Sequence, residues 1–139
     1  MNLLPLRIIP SLIIKNGRLV KGKEFKNHID VGDPITTSKA FDAQGADEIF
    51  IIDLASYKNP KRKIDFKSLE KISKNIMTPI TIGGGINTLS KAIDCFKFGA
   101  DKIYLSKILF EEKILLNKIS NIYGNQSMVC GINILKKKK

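Results

Sequence analysis

Short aliphatic runs alternate along this chain with segments in which apolar positions recur at every third or fourth place. The first run, Ile8 to Ile14, is mostly β-branched, as expected of a strand covered on both faces in a parallel sheet, and Lys15, Asn16 and Gly17 break it. The pattern predicts strands over 7–14, 48–53, 79–82, 101–105 and 128–134. Helices are predicted over 33–45, 65–76, 88–98 and 109–122, with a long loop between the first strand and the first helix. Strand and helix in strict alternation specify βα units and a parallel sheet. Asp33 before Pro34 predicts an N-cap with proline at the first helical position, Asp65 a second N-cap, and Gly45 and Gly99 helix C-termini. Gly45-Ala46-Asp47 and Gly99-Ala100-Asp101 each end a helix and open a strand, which hints at a repeated βα unit.

Four βα units plus a fifth strand cannot close. A complete eight-stranded (β/α) barrel takes about 250 residues, and this chain has 139. The expected class is therefore α/β, part of a (β/α)8 TIM barrel, with one partial barrel domain over 1–135 and a disordered poly-lysine end over 136–139. The first and fifth strands would be raw edges, open to self-association.

Composition adds less. The net charge of +11, from 24 Lys and Arg against 13 Asp and Glu, invites a nucleic-acid reading. The lysines are spread through every segment, so we expect no nucleic-acid partner, only a preference for anionic substrates. Cys95 and Cys130 are too far apart for a paired-cysteine motif and lie in apolar contexts, so both are expected to be buried, reduced thiols. No apolar run approaches the roughly 18 residues of a membrane helix and no leader pattern opens the chain, so a cytoplasmic location without membrane association is expected. His28, with no ligand partner at metal spacing, is expected at the surface; no metal and no cofactor is expected.

In such folds the reacting groups lie at the C-terminal ends of the strands and in the loops that follow. That selects Ile13 to Lys21, Asp53 to Lys63, Gly83 to Asn87, Ser106 to Lys107, and Asn133. In Pro79 to Ile86, PITIGGGI, three glycines precede a helix. The backbone there can approach a ligand and aim N–H groups at it, a phosphate cradle, or it is a tight turn with no ligand. Tyr57 to Lys63 is a basic loop, facing either substrate or solvent.

The motifs RIIPxLxxKxGRxVKG, GxDExxxxD, GGGI and GADK are similar to those of the HisF family, the cyclase subunit of imidazole glycerol phosphate synthase. The resemblance runs almost to Lys136 and covers an N-terminal half-barrel. It implies a substrate phosphate at Gly83, Gly84 and Gly85, with Ser106 and Lys107 as the partner loop. It implies a substrate-closing role for Lys21 and a substrate-side role for Asp53. At the other rim it implies a charged ring of Arg7, Glu48 and Lys102, through which ammonia from a glutaminase subunit passes, with Asp101 at the glutaminase-facing surface. The family's two acid/base aspartates fall at Ile13 and Asn133, neither of which titrates, so imidazole-forming cyclisation is expected to fail. The chain most resembles paralogues, from surface-polysaccharide gene clusters, that also carry an aliphatic residue at the Ile13 position. They are thought to convert an acetamido group on a sugar to an acetamidino group, which implies a phosphorylated or nucleotide-linked sugar substrate. Three readings stand: such a subunit, an authentic cyclase, or a non-catalytic half-barrel remnant or binding module. For the absent half, loss through a frame break in the lysine run is favoured over completion by another chain.

Overall fold

A computed structural model describes residues 6–23, 26–54 and 64–134. The run 136–139 and the basic loop 57–63 lie outside the described residues. The strands form one seven-stranded sheet. They are β1 (Ser11–Lys15), β2 (Arg18–Lys23), β3 (Lys26–Gly32), β4 (Ile49–Asp53), β5 (Ile80–Gly83), β6 (Lys102–Leu105) and β7 (Met128–Cys130), in the spatial order β3-β2-β1-β4-β5-β6-β7. From β1 through β4, β5 and β6 to β7 every pairing is parallel. The helices are α1 (Pro34–Ala43), α2 (Phe66–Ser73), α3 (Leu89–Lys97), α4 (Ile108–Glu111) and α5 (Lys113–Tyr123). Among the described residues no helix is long and apolar enough to cross a membrane.

The period-two alternation of the strands sorts their side chains into two faces. Leu12 and Ile14, Ile49 and Ile51, Ile80 and Ile82, and Ile103 and Leu105 are buried together with Leu69 and Ile72 of α2, Ala92 and Cys95 of α3, and Leu115 and Ile119 of α5. This helix-side layer is the core, and each fully buried isoleucine or leucine contributes about 1.5–3 kcal/mol. The opposite, inner face carries Ile13, Glu48, Phe50, Ile52, Thr81, Gly83, Lys102 and Tyr104. A mostly parallel sheet with this layering is a partial (β/α) barrel, as the alternation predicts.

The predicted caps are present. Asp33 accepts from Thr36 N at 2.7 Å, and Asp65 accepts from Ser68 N at 3.1 Å. Gly45 and Gly99 follow their helices with φ of +77° and +103°, a region that favours glycine. The repeated tripeptide is also a structural repeat. Asp47 N donates to Ile8 O at 3.0 Å while Ile8 N donates to Asp47 Oδ2 at 2.6 Å. Asp101 N donates to Ile80 O and Ile80 N to Asp101 Oδ2, both at 2.8 Å. Each aspartate thus clips the segment that opens its own strand to the chain at or before the start of the parallel neighbour.

Five expectations need correction. The long loop after the first strand is a hairpin, β2 and β3, joined to β1 by Asn16 and Gly17 at φ +54° and +75° between the paired Lys15 and Arg18. Two residues of positive φ form the turn that matches strand twist. The first strand begins at Ser11 rather than residue 7, because Pro10 has no N–H and joins the ladder only through its carbonyl, which accepts from Phe50 N at 2.9 Å. The helix over 109–122 is two, broken at Glu112, whose ψ of +66° is not helical. The last strand ends at Cys130, and Cys130 is exposed. It lies opposite Leu105 on the helix side of β7, where no described helix covers it.

The two thiols should therefore differ. Burial pushes the Cys95 thiol up to about 12, so a maleimide at neutral pH is expected to modify Cys130 in the folded protein and Cys95 only after denaturation. Mass spectrometry of the labelled protein checks this; equal labelling would contradict the packing described.

Candidate functional site

At the strand starts, the inner face holds a charged cluster centred on Glu48, which is 4% exposed. Its Oε2 accepts from Arg7 Nη2 at 2.9 Å and from Lys102 Nζ at 2.8 Å, and its Oε1 accepts from the Thr81 hydroxyl. Burial alone would raise the Glu48 pKa, yet the hydrogen bonds from Lys102, Thr81 and Arg7 hold it below the usual carboxylate value. The arrangement is chemically sensible, since a buried carboxylate without such donors would be costly. Three residues singled out from sequence are thus brought together, and Thr81, which sequence reasoning missed, completes the carboxylate's shell. Its only sequence signal is a polar residue inside an otherwise apolar strand.

Replacing Glu48 with Gln leaves two cations facing each other. Arg7 and Lys102 retain 51% and 31% side-chain exposure, so solvent screening limits the expected cost to about 1–2 kcal/mol. Because the folded pKa is depressed, this contribution is present above the unfolded carboxylate value of about 4.3 and is lost as pH falls through the folded one. Urea melts should show the wild-type advantage over Glu48→Gln at pH 7 and its decline below about pH 4. A pH-independent difference would contradict the ion-pair assignment.

At the strand ends, the glycine loop is held by specific contacts. A Cβ on Gly83 would lie 2.7 Å from Tyr104 Cδ1, and a Cβ on Gly84, at φ +115°, would overlap the backbone carbonyl of Asp53. Packing thus accounts for two of the three glycines, while Gly85, at φ +63°, turns the chain toward α3. Thr88 caps α3 by accepting from Lys91 N at 3.3 Å. Lys91, also missed from sequence, reaches back from the first turn, its Nζ donating to Gly85 O at 3.1 Å and to Asn87 Oδ1 at 3.0 Å. A cation in the first turn opposes the helix dipole, so its position favours an anion nearby.

The remaining sequence candidates are dispersed. Ile13 is half-buried on the inner face of β1, opposite Ile52. Asn133 is exposed beyond β7. Asp53 is buried on the helix side, where its Oδ2 accepts from Asp65 N at 2.8 Å and it lines a cavity of about 10 Å³ with Ile14, Ile64 and Leu69. That is room for about one water, and the carboxylate holds the segment that opens α2. Ser106 starts the turn into α4, its carbonyl accepting from Leu109 N at 3.1 Å, and exposed Lys107 pairs with Glu111 at 3.3 Å. Lys21 is exposed on β2 opposite Ile29 of β3, so it rides on a hairpin instead of a loop. His28 is half-buried on β3. Asp101 is exposed and engaged in the clip to Ile80.

A charged cluster at one end of the inner face and a glycine loop at the other belong to a partial (β/α) barrel, a fold class in which reacting groups lie at the strand ends. The model of the histidine biosynthesis protein family matches residues 7–139, and the chain belongs to that family. It is 41% identical over 128 residues to the imidazole glycerol phosphate synthase subunit HisF of Pyrococcus furiosus, covering 91% of this chain and 50% of that protein. It is 38% identical over 128 residues to the Leptospira biflexa subunit of the same name, covering 92% and 50%. A Campylobacter jejuni protein, "Putative imidazole glycerol phosphate synthase subunit hisF2", is 37% identical over 135 residues, covering 97% and 54%. The chain spans about half the length of the curated relatives it matches.

Proposed function

We propose that this chain is a HisF-type, cyclase-like synthase subunit that takes ammonia from a HisH-type glutaminase at the Arg7, Glu48 and Lys102 rim. More narrowly, we propose that the acceptor is an acetamido group on a phosphorylated or nucleotide-linked sugar, whose carbonyl oxygen leaves as water while the ammonia nitrogen takes its place. The observation that carries the reading is the Glu48 cluster. A buried carboxylate held by two cations on the inner face has no packing rationale of its own, since an apolar layer would be cheaper. In this reading Gly83, Gly84 and Gly85 cradle the phosphate, with Ser106, Lys107 and Lys91 contributing donors and positive charge, and Lys21 reaches over from its hairpin. Asp101 would meet the glutaminase at the same rim. The names of the relatives favour imidazole formation as the rival reading, but Ile13 and Asn133 stand where the resemblance places that reaction's acid and base, and neither side chain titrates.

The rim assignment is tested by mixing the chain with a HisH-type glutaminase and an acetamido sugar nucleotide. Glutamine and free ammonium are then compared as nitrogen donors for wild type and Glu48→Gln. Glutamine-driven product should fall at least tenfold in the variant while ammonium-driven product stays near wild type. Equal losses from both donors would argue against ammonia entry at Glu48.

A further inference from the structure

The inner face between the charged rim and the strand ends is occupied by an aromatic pair. Phe50 of β4 and Tyr104 of β6 meet edge to face, with ring centroids 5.1 Å apart at 84°. Phe50 lies one inward step from Glu48 along its strand, and Tyr104 one inward step from Lys102, so the pair forms the layer above the cluster. Tyr104 does not stay in that layer. Its ring root lies against Gly83, the first glycine of the loop. Its hydroxyl reaches the inward side of Gly131, at the place where a Cβ would stand. Tyr104 itself is paired in register with Val129, so the phenol climbs two residues along β7 and ends past that strand's last residue.

This places a hydroxyl on the inner side of the chain just past β7. Tyr104 is half-buried, and among the described residues its hydroxyl has no hydrogen-bond partner. Both glycines that accommodate it would clash with any larger residue, so the backbone on two neighbouring strands is shaped around this one side chain. Packing alone does not require the oxygen, because phenylalanine would fill the same groove between Gly83 and Gly131 and keep the contact with Phe50.

We propose that Tyr104 is a substrate-contacting and specificity-determining residue whose phenol O–H donates a hydrogen bond to the carbonyl oxygen of the substrate's acetamido group. The inference rests on the acetamido reading above. A neutral donor suits a neutral amide oxygen, and a site built to hydrogen-bond a substrate group rejects analogues lacking it.

The test uses UDP-N-acetylglucosamine and UDP-glucose, which differ in the acetamido group, as calorimetric probes of wild type and Tyr104→Phe. Wild type should bind the acetamido probe about tenfold more tightly than the other, and Tyr104→Phe should bind the two equally, with its melting temperature unchanged. If the variant keeps the wild-type preference, Tyr104 is not the contact and the inference is overturned while the acetamido reading stands. If wild type shows no preference, the acetamido reading fails and takes the inference with it.

Discussion

Supplied with the phosphoribulosyl precursor of imidazole glycerol phosphate and with ammonium, this chain is expected to form imidazole product at no more than the background rate. Ring closure requires a group that takes a proton and another that returns it, each worth about 10²- to 10⁴-fold when correctly placed. In the resemblance to the HisF family those groups fall at Ile13 and Asn133. An isoleucine offers no acceptor, and an asparagine amide hydrogen-bonds without changing charge. Among the described residues of β1 and β4, no carboxylate faces inward beside Ile13. Ile52 lies opposite it, and Asp53, the nearest carboxylate along β4, points to the helix side, where it receives the Asp65 N–H at 2.8 Å. Losing both functions removes about 10⁴- to 10⁸-fold, more than any positioning effect of the glycine loop could offset. Detection of the imidazole product by chromatography above an ammonium-only control would refute the assignment of those two positions.

The largest structural effect is expected at Gly84. An alanine there meets two penalties of independent origin. The φ of +115° lies where side chains are rarely found, which costs about 1–3 kcal/mol. The added Cβ would also overlap the carbonyl of Asp53, a backbone atom of the adjacent strand that cannot rotate aside, which costs about 1–3 kcal/mol more. Gly84→Ala should therefore destabilise the protein by about 4 kcal/mol, seen as a lower midpoint in urea. Gly45→Ala is the control. Its φ of +77° is also positive, but nothing lies within 4 Å of the added Cβ, so it should cost only about 1 kcal/mol. If the two substitutions cost the same, close approach to Asp53 is not what fixes the loop.

The alternation of aliphatic runs with helix-period segments was enough to read the parallel sheet, and short polar residues at element boundaries, Asp33, Asp65, Gly45 and Gly99, marked caps that the structure contains. These signals are local, so one stretch of sequence carries them. The hairpin was harder to see even though Asn16-Gly17 is a strong hairpin dipeptide. Arg18 to Lys23 and Lys26 to Gly32 form the edge of the sheet, where the adjacent Leu19 and Val20 are both buried and Ile29 and Val31 are exposed, so their apolar positions do not mark one buried face. What stayed hidden in the site depends on contacts distant in sequence. Whether Asp53 faces the inner side or the helix side is a matter of strand phase. The reasons for Gly83 and Gly131 lie in Tyr104, and the reason for Gly84 lies in the backbone of Asp53. The Arg7, Glu48 and Lys102 set was found through resemblance, and its hydrogen-bonded geometry required the structure.

If the chain passes ammonia to an acetamido acceptor and closes no imidazole ring, the two chemistries separate in a single mixture. The most direct test supplies one sample with isotopically labelled ammonium, an acetamido sugar nucleotide and the phosphoribulosyl precursor together, and follows the label by mass spectrometry. Label is expected in an acetamidino sugar and not in an imidazole product; label in the imidazole product, with the sugar unchanged, would overturn the proposed function.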